Sequence, residues 1–329
     1  MILTIFKCDG DEQMIYLCII EIIDNCNLRC KHCYNKFESN HIMDLETFEK
    51  VARLLKPYEC STIRISGGEP TLLGESIFNY GSSALKYANH VEITTNGVLE
   101  DIFSDGRWKL FSNIQISLDG TEKIHDSIRG QGTYRKAFNS LVKLKSSGNK
   151  VSVMMTVGRY NLKSITDLRK ELSQYDIPMY IERITGTGRA DANEELTSDE
   201  VKYLFDIISE YDIKTTDPLY IFYNDKKREY LIENCIMGGC SAGVSALCIG
   251  PNLDVFPCPR FRIVCGNLNK LSLADILNSE VITSLNDRDL LTGKCGRCDN
   301  RWICGGCRAS AYACDKSFLA EDTGCFINV

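Results

Sequence analysis

No apolar stretch in this sequence is long enough to cross a bilayer. The longest, MIYLCIIEII at residues 14–23, is interrupted by Glu21, whereas a spanning helix needs about 20 apolar residues. The N-terminus, MILTIFKCDGDEQ, lacks the basic segment followed by an apolar run that marks export. A cytoplasmic protein without a membrane role is therefore expected. No basic block occurs and the net charge is −6, which argues against nucleic acid or an anionic lipid surface as the main partner. A fourth absence is local. CNLRCKHC, residues 26–33, gathers Cys26, Cys30 and Cys33 without the fourth ligand of a structural zinc site or the even number that disulfides need. Such an incomplete set makes sense if a substrate or cofactor supplies the missing ligand at an open metal position.

Cysteine is what the sequence has in excess, seventeen in 329 residues. In a reducing cytosol many cysteines point to metal ligands rather than disulfides. The 44% hydrophobic and 25% charged content is otherwise ordinary, and the length suits one large domain with a smaller one. Between residues 13 and 185, strand-like and helix-like stretches alternate at about the spacing of βα units around a parallel sheet. Six strands are expected: MIYLCIIEII, STIRIS, HVEITT, NIQISLD, KVSVMMTV and IPMYIERI. One helix, capped by Asp44, presents Leu45, Phe48, Val51, Ala52 and Leu55 on one face; another presents Ile77, Gly81, Ala84 and Ala88. GTGRADANEELTSDE reads as a linker into a further helix, SDEVKYLFDIISEY. The expected organisation is an α/β fold. A partial (β/α)6 TIM-like barrel spans residues 1–190, a bridging helical segment 191–234, and a loop-rich domain 235–329. That last part holds eleven of the cysteines and too little regular pattern for a conventional core, so metal is expected to staple it.

Parallel βα folds collect their sites at the C-terminal ends of the strands, and CNLRCKHC follows the first. SGGEP follows the second, where Gly67 and Gly68 permit close backbone approach and Glu69 and Pro70 fix the turn. In NIQISLDG, Ile114, Ile116 and Leu118 face one way, while Gln115, Ser117 and Asp119 point into the barrel. On the sixth strand, Met179, Ile181 and Arg183 share one face and Tyr180, Glu182 and Ile184 the other. Either Glu182 or Arg183 is expected to face inward and orient a substrate; surface or interdomain ion pairs are the alternative.

Taken together these motifs resemble the radical S-adenosylmethionine (SAM) enzymes, whose hallmark is C-x3-C-x2-C after the first strand of a partial barrel. The resemblance implies that Cys26, Cys30 and Cys33 hold a 4Fe-4S cluster whose fourth iron is chelated by the amino and carboxylate groups of SAM. It further implies that Gly67, Gly68, Glu69 and Pro70 bind the SAM amino group. Ser117 would reach the ribose or carboxylate region, and Arg129 in HDSIRG is a candidate for the carboxylate. His32 stands where the family usually has an aromatic residue near the adenine. Near the C-terminus, CGRCDNRWICGGC supplies Cys295, Cys298, Cys304 and Cys307, which alone would read as a zinc knot. With Cys235, Cys240, Cys258 and Cys325 there are too many thiols for one tetrahedral site. This set resembles the SPASM extension of radical SAM enzymes and implies two auxiliary 4Fe-4S clusters, three clusters in all. Cys235, Cys240, Cys258 and Cys307 would hold the first, and Cys295, Cys298, Cys304 and Cys325 the second. Two features depart from the usual spacing: Leu253 replaces a glycine ahead of Cys258, and only two residues separate Cys304 from Cys307. Cys8, Cys18, Cys60, Cys248, Cys265 and Cys314 fall outside the pattern. Of these, Cys18 and Cys60 read as core thiols, and Cys248 and Cys314 lie near enough to assigned ligands to replace one.

The resemblance implies reductive cleavage of SAM to a 5′-deoxyadenosyl radical and hydrogen abstraction from a peptide or protein, with flavodoxin or ferredoxin as reductant. Pro259 stands where sulfatase maturases carry an aspartate, which favours maturation of a ribosomally made peptide over formylglycine formation. The short segment before Cys26 leaves no room for a leader-binding domain, so a separate recognition protein or direct leader binding by the barrel is expected. Alternatives are a sulfatase activator, a small-molecule radical SAM dehydrogenase, or a non-catalytic iron-sulfur or zinc-stapled binding protein.

Overall fold

The computed structural model describes residues 14–35, 39–234 and 236–328; Cys8 and Cys235 lie outside them. Short runs rich in Ile, Val and Thr form the six expected strands. They are β1 (Leu17–Glu21), β2 (Thr62–Ser66), β3 (His90–Thr95), β4 (Asn113–Ser117), β5 (Val151–Val157) and β6 (Met179–Arg183). Each pairs in parallel with the next in chain order. Their alternate apolar residues, among them Ile63, Ile65, Val91, Ile93, Ile114, Ile116 and Val153, are wholly buried beneath a layer of helices. Those helices are α1 (Leu45–Leu54), α2 (Ile77–Ala84), α3 (Glu122–Arg129), α4 (Thr133–Ser146), α5 (Ile165–Ser173) and α6 (Ser198–Glu210).

Local chemistry sets the helix ends. Asp44 caps α1 by accepting from the Thr47 N–H at 2.8 Å, and Thr197 and Glu200 form a reciprocal capping box at α6. Phe48, Val51, Ala52 and Leu55 are buried as the stripe requires. Leu45, at the first position of α1, is exposed and lies off the core face, whereas Ala88, beyond the end of α2, still packs half-buried against the core.

The sheet continues past six strands. β7 (Lys214–Thr215) adds beside β6, and β8 (Ala246–Ile249) pairs in parallel with β1. β9 (Asp254–Phe256) and β10 (Gly266–Asn267) follow antiparallel, giving the order β10-β9-β8-β1-β2-β3-β4-β5-β6-β7. The cysteine-rich region therefore does have a conventional core. Its Leu247, Ile249, Val255 and Ile276 join the same apolar cluster as the barrel strands, and Arg262 ties it to β1 through a 2.6 Å bond to Glu21. Between β8 and β9, Leu253 adopts a φ of 69°. This is the left-handed conformation that a glycine would take without the roughly 1–2 kcal/mol penalty of a side chain, so the departure at Leu253 keeps the turn. Among the described residues no helix is long and apolar enough to cross a membrane.

Candidate active site

Loops at the C-terminal ends of the strands form a half-open cleft of about 150 Å³ lined by Cys26, Cys30 and Cys33, together with Gly67, Gly68 and Glu69. The two turns are docked backbone to backbone. Gly68 N–H donates to Ile23 O at 2.6 Å and Glu69 N–H to Asn25 O at 2.9 Å. A Cβ on Gly67, whose φ is +145°, would run into the Ile23 backbone, and one on Gly68 into the Asn25 carbonyl. Glycine is thus required one residue from the first cysteine. Glu69 is buried, and burial pushes its carboxyl pKa up. Its oxygens accept from Thr71 N–H (3.0 Å), Thr71 Oγ1 (2.6 Å), Thr95 Oγ1 (2.7 Å) and Asn96 N–H (2.7 Å). Asn96 in turn donates to Asn27 Oδ1 at 2.8 Å. Glu69 therefore welds the ends of β2 and β3 to the cysteine loop, while Pro70 begins the following 3-10 turn and does not line the cavity.

Burial raises the Cys26 thiol to about 11 and also raises Cys30, against which the Arg129 guanidinium pulls down. Metal binding would replace those protons. Arg129, the last residue of α3, aims Nη1 at Cys30 Sγ (3.9 Å) and Nη2 at His32 Nε2 (3.4 Å), while Nε donates to Asp119 Oδ2. Asp119 is fully buried and also accepts from Thr156 N–H at 3.0 Å. Burial pushes its carboxyl up, but Arg129 and His32 outweigh that and hold it well below the usual carboxylate range. Arg129 is thereby neutralised along one edge and keeps another for the cavity. His32 Nδ1 is buried without a partner. Ser117 ends β4 half-buried and does not line the cavity.

The two charged residues of the sixth strand take opposite faces, and neither lines the cavity. Arg183 shares the buried face of Met179 and Ile181, where it bridges Asp217 and Asp322 and is shut out of the cavity lining. The expectation of a catalytic Arg183 is corrected accordingly: strand parity carries it to the helix side, and two carboxylates from distant segments neutralise it there. Glu182 takes the other face and meets Arg260 Nε at 3.4 Å. Arg260, which sequence reasoning missed, lines the cavity and donates from Nη1 to the Arg183 carbonyl at 2.8 Å.

A second, smaller cavity of about 20 Å³ is lined by Cys295, Cys298, Cys304 and Cys325, among others. Cys307 does not line it. Cys307 and Cys258 each feel the charge of Cys240 and of Arg260, and burial raises Cys307 to about 12. Four thiols thus surround one void, and Cys240, Cys258 and Cys307 form a neighbouring group. Among the described residues no three His, Cys, Asp or Glu side chains converge as a single ion would require. Cys248 is buried on β8 and Cys314 is exposed beside Glu195 and Thr323; neither lines either of these two cavities. Cys18 and Cys60 are core thiols, as expected.

Residues 20–172 match the radical SAM superfamily, and residues 240–299 match SPASM, an iron-sulfur cluster-binding domain. The AdoMet-dependent heme synthase of Methanosarcina barkeri is 27% identical over 93% of this chain and 94% of its own length. The mycofactocin maturase MftC of Mycobacterium tuberculosis is also 27% identical, over 93% and 81%. Native anSMEcpe with bound AdoMet shares the fold with a TM-score of 0.70 at 20% identity, over 94% of this chain and 93% of its own. Streptococcus suis SuiB bound to precursor peptide SuiA shares it at 0.74 and 17%, over 94% and 75%. With a three-cysteine loop at the mouth of a mostly parallel α/β sheet and a cysteine-rich segment continuing that sheet, the chain belongs to the radical SAM superfamily and is an enzyme of its SPASM-containing branch.

Proposed function

We propose that Cys26, Cys30 and Cys33 hold a 4Fe-4S cluster open to SAM at one iron, and that the enzyme matures a ribosomally made peptide. The observation that carries the first part is the donor set: three thiols in one cavity, with Arg129 aimed at Cys30 while Asp119 neutralises its far edge. When bound, such a cluster would supply the electron for reductive cleavage of SAM and so the means of hydrogen abstraction from the substrate. The chain's own residues bind and orient. Arg129 would offer its cavity-facing edge to the SAM carboxylate, and the Gly67–Gly68 turn, docked on Ile23 and Asn25, would hold its backbone beside the amino group. Glu182 and Arg260 form the substrate-orienting pair on the β6 side. Cys235, Cys240, Cys258 and Cys307 would hold one auxiliary cluster and Cys295, Cys298, Cys304 and Cys325 the other, suited to electron transfer at low potential. A flavodoxin or ferredoxin would supply electrons in the cytoplasm. The division at 1–190, 191–234 and 235–329 describes these roles, although β8 makes the last part continuous with the barrel sheet.

Support for a peptide comes from the mycofactocin maturase among the relatives and from Pro259 beside Cys258. A second reading, a carboxylate-bearing tetrapyrrole, is favoured by Arg129, Arg189 and Arg260 in the cavity lining, where Glu69 is engaged by four donors, and by the heme synthase relatives. The test compares a candidate precursor peptide with a propionate-bearing porphyrin, following 5′-deoxyadenosine and product mass together. Peptide modification stoichiometric with 5′-deoxyadenosine supports the first reading; turnover of porphyrin alone replaces it with the second. With the true substrate, Glu182→Gln should still cleave SAM but lose coupling.

A further inference from the structure

Two buried cations flank the smaller cavity without a carboxylate partner. Arg288 and Arg308 are each 1% exposed, and neither forms an ion pair among the described residues. Arg288 makes a single hydrogen bond, from Nη2 to the Cys240 carbonyl at 2.8 Å, and its Nε and Nη1 have no partner. Arg308 donates from Nη1 to the carbonyls of Phe318 (2.8 Å) and Ala320 (2.7 Å), and from Nη2 to Cys295 Sγ (3.5 Å). The buried carboxylate in this region, Asp322, is already held by Arg183 and by the N–H groups of Cys307 and Gly324.

Both guanidinium groups occupy room that glycine leaves. Gly305 and Gly306 connect Cys304 to Cys307 in left-handed conformations, φ +66° and +61°. A Cβ on Gly305 would sit 2.7 Å from Arg288 Nη1, and one on Gly306 would sit 2.8 Å from Arg308 Nη2. The turn that lines the cavity is therefore backed on both residues by positive charge. A buried cation without an anion costs several kcal/mol, and neutral thiols cannot offset it. Thiolates around an iron-sulfur cluster can.

We infer that Arg288 and Arg308 are the counter-charges of the auxiliary site bounded by Cys295, Cys298, Cys304 and Cys325, stabilising its reduced state and raising its reduction potential. The inference rests on the proposed ligand set. Positive charge and N–H donors near cluster sulfurs favour the more negative, reduced state. Arg288, packed against the same turn from residues 288–290, touches the carbonyl of Cys240 and so lies between the two proposed auxiliary sites. Both arginines are positioning residues, since they reach the cluster through the turn and its thiolates.

The experiment uses the full chain reconstituted with iron and sulfide, with Arg288→Met and Arg288→Lys beside wild type, followed by iron content and EPR-monitored redox titration. In Arg288→Met the midpoint of the second auxiliary cluster should fall enough to change its reduced-to-oxidised ratio at a fixed potential by about tenfold, which is about 59 mV for one electron. Arg288→Lys should lie between, and the SAM-site cluster should not move. Loss of that cluster from the methionine variant alone also supports a need for charge. An unmoved midpoint in Arg288→Met, or loss of the cluster from both variants, overturns the inference and leaves Arg288 a structural support of the Cys240 carbonyl. Unchanged iron in a Cys325→Ala control would instead overturn the ligand set, and the inference with it.

Discussion

Replacing Arg183 with methionine should damage the fold and spare the radical chemistry. Its guanidinium donates to Asp322 from Nη2 at 2.8 Å and Nη1 at 3.3 Å, and to Asp217 from Nε and Nη2. The three side chains are 6%, 0% and 5% exposed. Removing one member of a buried ion pair costs about 3–5 kcal/mol. Asp217 keeps the Leu219 N–H and Asp322 keeps those of Cys307 and Gly324, so the lower end, about 3 kcal/mol, is expected. With about 2.1 cal/mol/K of unfolding entropy per residue, a chain of this length loses about 4 °C of melting temperature. The pH dependence follows from Asp322. Burial pushes its carboxyl up, but Arg183 outweighs that and holds it below its ordinary value. The wild-type advantage is therefore full at neutral pH. On acidification it shrinks first because Asp322, left buried without its cation in the variant, takes up a proton. Below about pH 4 the wild type then loses its own contribution as well. Anaerobic thermal melts of the reconstituted protein from neutral to acid pH, alongside 5′-deoxyadenosine formation at low temperature, test this. An unchanged melting temperature combined with lost substrate modification would return Arg183 to the active site.

Gly68→Ala forces the second turn off the Asn25 carbonyl and should destabilise the chain by about 1–3 kcal/mol while weakening SAM binding; unchanged SAM affinity by equilibrium dialysis would contradict the cradle. Cys325→Ala should remove about four irons and leave the SAM-induced change in the EPR signal of the barrel cluster, whereas unchanged iron would favour a local site made of Cys295, Cys298, Cys304 and Cys307. Asp119→Asn strands the buried Arg129, so about 3 kcal/mol of stability should be lost at neutral pH, with the deficit fading on acidification because the folded Asp119 pKa lies below its unfolded value. SAM affinity should fall with it, and full retention would leave Asp119 a purely structural residue.

Much of the barrel was legible because short β-branched runs at regular intervals admit few other folds, and the Asp44 cap and the C-x3-C-x2-C loop are local signals. β8 was not: ALCI is four residues long, and three of the four are buried, because it lies between β1 and β9 and shows no polar alternation. Alternation along β6 gives parity but not direction, so Glu182 and Arg183 could be separated only by the carboxylates that Asp217 and Asp322 bring from elsewhere in the chain. The short spacing of Cys304 and Cys307 suggests a shared site, yet the left-handed Gly305–Gly306 turn points them to different neighbours. The roles of Arg260, Arg288 and Arg308 depend on partners that meet only in the folded chain, which is why composition and motif were silent about them.

The most direct measurement is 5′-deoxyadenosine formation from SAM by the dithionite-reduced, anaerobically reconstituted chain, compared with the triple variant Cys26→Ala, Cys30→Ala, Cys33→Ala. Product from the wild type is predicted, with none from the triple variant even though the latter keeps the iron of its C-terminal sites. Product persisting in the triple variant would contradict the assignment of the cysteine loop as the seat of SAM cleavage.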